Sequence, residues 1–148
     1  MNLFNRSITV NVNTADKKIL EIAGTFIDSY HELYITLVVD IEQNQIDEAR
    51  GEMKRTPNEH CFYVEGLIPQ LKGISLETGI RKRVLQTVGG SGGCTHLTEL
   101  VLECIKGAIQ GRFKLMELSR PELSLEDLVR TGASMYKNSC YTYSKYSV

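Results

Sequence analysis

The chain has 148 residues, with 17 Lys+Arg against 18 Asp+Glu and a formal net charge of −1. That balance excludes the basic excess of a dedicated nucleic-acid binder, and 42% hydrophobic with 24% charged residues excludes a disordered tail. No apolar run approaches the roughly 18 residues of a membrane span, and MNLFNRSITV lacks a long apolar h-region, so a cytoplasmic chain with reduced thiols is expected.

The first half reads as strands. Ile8, Val10 and Val12 alternate with Thr9 and Asn11, the period of two that marks a half-buried strand. A second strand runs from Ile19 to Ile27, with a bend or bulge expected at Gly24. Leu33 to Ile41 is the strongest strand signal, rich in β-branched and aromatic residues. After the polar turn Glu42-Gln43-Asn44-Gln45, Ile46 to Met53 returns, giving an antiparallel meander of three to four strands.

Beyond Pro57 the pattern becomes helical. A short helix is expected over Gly66 to Leu71, and a second, capped by Ser75, carries Ile80, Val84, Leu85 and Val88. Gly89 to Gly93 stops it. From about Cys94 a third helix places Leu97, Leu100, Val101, Cys104, Ile105, Ala108 and Ile109 on one stripe. Glu99 and Glu103 lie on its polar side, so it has no basic face for a membrane surface. Ser124 and Asp127 predict a capped last helix. Strands first and helices afterwards, with the helices packed on one face, define a single α+β domain over 1–148, with a loosely ordered end at 139–148.

The four cysteines carry the chemistry to be explained. No CxxC pair suggests a redox couple or a zinc ribbon. Cys104 falls in the helical stripe and reads as core, and Cys140 in a polar tail has no assigned role. Cys94 follows the glycine-rich loop at a helix N-terminus, where free amides and the helix dipole can hold an anion or stabilise a thiolate. The loop residues Gly90, Ser91, Gly92 and Gly93 are therefore a candidate anion site, although the GxxxxGK[ST] spacing of a phosphate loop is missing. His31-Glu32 opens the strongest strand, and His60-Cys61 follows the strand-to-helix switch. These three places can converge at one end of a small α+β fold, and His and Cys suit zinc or iron.

The block Gly89 to Leu100, containing Gly93-Cys94-Thr95-His96-Leu97-Thr98-Glu99-Leu100, resembles a bacterial domain family of unknown function. His31-Glu32-Leu33 through Asp40, the pair Glu48-Ala49, and Cys61 after Pro57 share that likeness, which extends over roughly residues 5 to 112. The order of features also resembles the iron–sulfur cluster scaffold proteins of the NifU/IscU kind, a NifU/SufE-like arrangement. Lys72-Gly73-Ile74-Ser75-Leu76-Glu77 resembles the segment that leads to the scaffold's third cysteine. Cys61 and Cys94 fall at the second and third cysteine positions, and His31 stands at the first. The scaffold's first Cys-Gly-Asp and its glycine- and serine-rich segment are not present. The resemblance therefore implies the fold more than retained cluster assembly.

The expectation is a zinc site ligated by His31, Cys61 and Cys94, with a fourth ligand from Glu32, or else from Asp28 or His96. An iron–sulfur cluster is the lesser alternative cofactor. Two other readings stay open: a metal-free interaction domain with structural cysteines and a protein partner or a second copy, or an enzyme using Cys94 with His31, His60 or His96.

Overall fold

The computed structural model of the chain describes residues 1–146. Four strands, β1 (Arg6–Asn13), β2 (Ile19–Asp28), β3 (Glu32–Asp40) and β4 (Gln45–Arg55), form one antiparallel sheet in the order β1-β2-β3-β4. Helical turns over Glu59–Leu71 follow, then α1 (Ile80–Val88), α2 (Thr95–Ser119) and α3 (Leu125–Met135). The α+β class and the meander expected from the sequence are what the chain adopts. Its contacts group as two compact units, Met1–Gly111 and a second from Arg112 onward.

In the first unit, alternate residues of each inner strand are buried. Leu20, Ile22 and Phe26 of β2, with Leu33, Ile35, Leu37 and Val39 of β3, are at most 2% exposed. Their period of two puts them on one face of the sheet. The stripe Leu97, Leu100, Val101, Cys104, Ile105 and Ala108 on α2 is at most 3% exposed. Cys104 is core, as its place in the stripe predicts, and burial pushes its thiol up to about 12.

Gly24 makes no bulge. Its pairing with Val10 on one side and Ile35 on the other continues the register unbroken. A Cβ there would collide with the Cys104 sulfur and come 3.1 Å from Leu100 Cδ1, so the missing side chain lets α2 approach the sheet. The register shifts lie between β3 and β4 instead, at Glu32/Leu33 and Val38/Val39.

Two helix starts differ from the sequence reading. The first helical segment opens at Glu59 rather than Gly66, because the Asn58 side chain accepts from the His60 amide at 2.9 Å. His60 and Cys61 thus sit on helical turns. Helix α1 starts at Ile80 behind Gly79, whose φ of 86° suits glycine, and not at a Ser75 cap. Ser75 instead bridges to Gln45, and its carbonyl accepts from Arg83 Nη2 at 2.8 Å.

The second unit is capped as its sequence predicts. Ser124 Oγ accepts from the Asp127 amide at 3.2 Å, while the Ser124 amide donates to Asp127 Oδ2 at 3.1 Å. Of the expected loose end at 139–148, residues 147 and 148 lie outside the described residues. The remainder makes turns, with the Ser144 amide donating to the Cys140 carbonyl at 3.0 Å.

Candidate functional site

The site is built where the β2–β3 hairpin meets the start of α2. Asp28 closes β2 and its side chain shapes the turn: Oδ1 accepts from the Tyr30 amide at 2.8 Å and from the His31 amide at 2.7 Å. This is the local turn that aspartate forms with amides two and three residues on. From the far side Arg55 grips the same turn, donating to the carbonyls of Ser29 and Asp28 at 3.0 Å and of His31 at 3.3 Å. The hairpin tip is therefore held from both sides.

Asp28 also orients the His31 ring. His31 Nδ1 lies 3.0 Å from Asp28 Oδ1, and Asp28 and His31 are 2% and 8% exposed. Burial pushes the Asp28 carboxyl up. The Tyr30 amide, the His31 ring and the His31 amide outweigh burial and bring it down to about 2. An ionised carboxylate can only accept, so Nδ1 donates the proton to it and Nε2 is the ring nitrogen turned away from Asp28. The other oxygen, Oδ2, faces Arg6 Nη2 at 3.4 Å, while Arg6 Nη1 reaches Glu99 Oε2 at 3.1 Å.

Helix α2 brings its first turn against this histidine. The rings of His31 and His96 lie 3.8 Å apart between centroids, tilted by 34°, and Phe26 meets His96 edge-on at 5.3 Å. Burial, then the neighbouring His31, lowers the pKa of His96, which Asp28 only partly opposes. Both effects favour the neutral ring, in which one nitrogen offers a lone pair. Among the described residues, Asp28, His31 and His96 are a group whose ligand atoms all lie within 4.8 Å of one another.

Cys94 adjoins this group. Its Sγ is 3.9 Å from His96 Nδ1 and accepts from the Leu97 amide at 3.5 Å, while its carbonyl accepts from the Thr98 amide at 2.9 Å. Cys61 and Cys94 both line a cleft of about 340 Å³, together with Asn58, His60, Val64 and Gly93. His60 stacks on Tyr63 at 6.0 Å. Thus His31 belongs to the His/Asp group, whereas Cys61 and Cys94 line the adjoining cleft. Glu32 points away: its Oε1 accepts from Tyr34 Oη at 2.7 Å, and Arg55 Nε lies 3.9 Å from its Oε2. The carboxylate at His31 is Asp28.

Two amides at the end of the glycine loop are engaged within the fold. Gly93 N–H donates to the Gly90 carbonyl at 3.2 Å and Cys94 N–H to the Val88 carbonyl at 2.8 Å, so neither is presented to an anion. Glycine is required at position 93 because a Cβ would run into the Val88 carbonyl. Gly93 and Gly90, whose φ is 67°, thus shape the tight turn that delivers Cys94 and His96 to the site.

The fold and the site define an α+β domain with a largely buried His/Asp cluster between a β-hairpin and a helix N-terminus, beside a cleft bearing two thiols. The family described as protein of unknown function (DUF2889) matches residues 4–110, and the chain belongs to that family. The match lies within the first unit. No curated protein and no solved structure matches the chain. Among the described residues no helix is long and apolar enough to cross a membrane.

Proposed function

We propose that this is a metal-binding domain of the cytoplasm, with zinc held by His31 and His96 together with Cys94 and Cys61 of the adjoining cleft. The observation that carries the reading is the clustering of Asp28, His31 and His96 within 4.8 Å, with Asp28 fixing the His31 tautomer. Zinc takes four N, S or O ligands in a tetrahedron, and a His/His/Cys/Cys set supplies them. Asp28 then acts behind His31 as the orienting carboxylate common at zinc sites, since its oxygens are already engaged by His31, two amides and Arg6. The resemblance to iron–sulfur scaffolds supports ligands at His31, Cys61 and Cys94. A site of this composition also accepts iron.

Metal analysis of anaerobically purified protein tests the reading. The expected result is about one zinc ion per chain, lost on His31→Ala or Cys94→Ser and retained in Glu32→Gln. Zinc content indifferent to both ligand substitutions contradicts it, and a coloured preparation replaces zinc with iron. The approach of Cys94 Sγ to His96 Nδ1 favours a second reading, a thiol-dependent enzyme with His96 as base. Alkylation of Cys94 no faster than that of exposed Cys140 removes that reading.

A further inference from the structure

The cleft brings two of the four cysteines to one place. Cys61 stands on the helical turns after the sheet and Cys94 at the start of α2, and both are half-exposed. The other two cysteines differ in kind. Cys104 is fully buried with its thiol pushed up to about 12, and Cys140 is exposed in the second unit. Oxidation selects thiols that reach solvent, and a disulfide needs two of them in one place.

We propose that Cys61 and Cys94 form a redox-active dithiol, which a peroxide-class oxidant converts to a disulfide that cannot hold a metal ion. Only the metal release rests on the zinc reading; the disulfide does not. Cys94 is the attacking thiol. The Leu97 amide points at its sulfur, and Cys94 lines the same open cleft as Cys61. The Cys94 sulfur attacks one peroxide oxygen and the O–O bond breaks, leaving a sulfenic acid and one water. The Cys61 sulfur then attacks the sulfenic sulfur, the S–S bond forms, and a second water departs. In sum, the two thiols give up two electrons and two protons, and hydrogen peroxide is reduced to two waters. A low-molecular-weight thiol reverses the step by exchange, restoring the ligands in a reducing compartment. The open cleft gives both reagents access, which a site closed within the core denies them.

The experiment uses the full chain, metal-free and zinc-loaded, treated with hydrogen peroxide. Disulfides are mapped by mass spectrometry of non-reduced peptides, and free zinc is read with a chromogenic chelator. The expected product in both samples is the Cys61–Cys94 disulfide. The zinc-loaded sample releases about one zinc ion for each disulfide, because an oxidised sulfur is no longer a thiolate ligand. Excess dithiothreitol restores both thiols. In Cys61→Ser the oxidation stops at a Cys94 sulfenic acid, which dimedone traps. Cys94 passing to sulfinic acid with Cys61 present, or Cys94 pairing first with Cys140, overturns the proposal. A disulfide formed by a chain that binds no zinc removes the metal reading and leaves the dithiol standing; zinc binding without the disulfide does the reverse.

Discussion

Replacing Asp28 with asparagine removes one negative charge from the most connected residue of the site. The carboxylate accepts from two amides and the His31 ring and faces Arg6, and these contacts hold it at about 2 against an ordinary 3.8. At about 1.4 kcal/mol per pKa unit, that difference stabilises the folded chain by about 2 kcal/mol near neutral pH. The sign follows from the direction of the shift. A depressed carboxyl contributes its full stabilisation above the unfolded value of about 3.9 and loses it as pH falls toward 2. Urea denaturation of the metal-free protein should therefore show Asp28→Asn less stable by about 2 kcal/mol at pH 7. The gap should close between about pH 4 and pH 2, as the wild type gives up the contribution that the variant never had. Asparagine keeps an acceptor for the turn amides, so the hairpin should survive. Equal stabilities at pH 7, or curves parallel through the acid range, would refute the reasoning.

Three further expectations concern packing, capping and titration. Gly24→Ala drives a Cβ into the Cys104 sulfur and should cost about 1–3 kcal/mol in chemical denaturation. Cys104→Ala in the same chain should recover part of that loss, a coupling that a double-mutant cycle reads directly. Ser124→Ala removes the cap of α3 and should cost about 1 kcal/mol, seen as faster amide exchange in that helix. In the metal-free protein, burial and the neighbouring His31 should place the His96 titration, followed by NMR, below about 6.5. Because its folded pKa is depressed, stability should fall as pH drops below that value, and a midpoint above it contradicts the packing of His31 on His96.

Most of the fold was legible because its signals are local and periodic. Alternation in β1 and the stripe from Leu97 to Ile109 need only the residues themselves, and Ser124 with Asp127 spells a cap. Gly24 misleads because a bulge and a close helix approach both demand glycine, and only the position of Cys104 decides between them. Asn58 is itself a cap signal, and it starts the helical turns earlier than the pattern at Gly66 suggests. At the site, His31 and Cys94 were visible as unusual residues at element starts. Asp28 and His96 stood only among the candidates for a fourth ligand. The spacing of Asp28 three residues before His31 is an aspartate turn in plain sight. That His96 stacks on His31 depends on how α2 crosses the sheet, which no spacing along the chain encodes. Glu32 was the attractive neighbour in sequence, but strand alternation sends it to the face opposite Leu33, toward Tyr34.

Cobalt substitution tests the metal site most directly, because the ion reports both its geometry and its sulfur ligands. Metal-free protein titrated with Co(II) should develop the intense visible bands of a tetrahedral ion and a near-ultraviolet sulfur-to-cobalt band. Both should saturate at about one ion per chain, as a four-ligand N/S site requires. The sulfur band should weaken in Cys61→Ser and in Cys94→Ser, the visible bands should collapse in His31→Ala, and Glu32→Gln should leave both unchanged. A pale octahedral spectrum without a sulfur band in the wild type contradicts a metal held by His31, His96 and the two cleft cysteines.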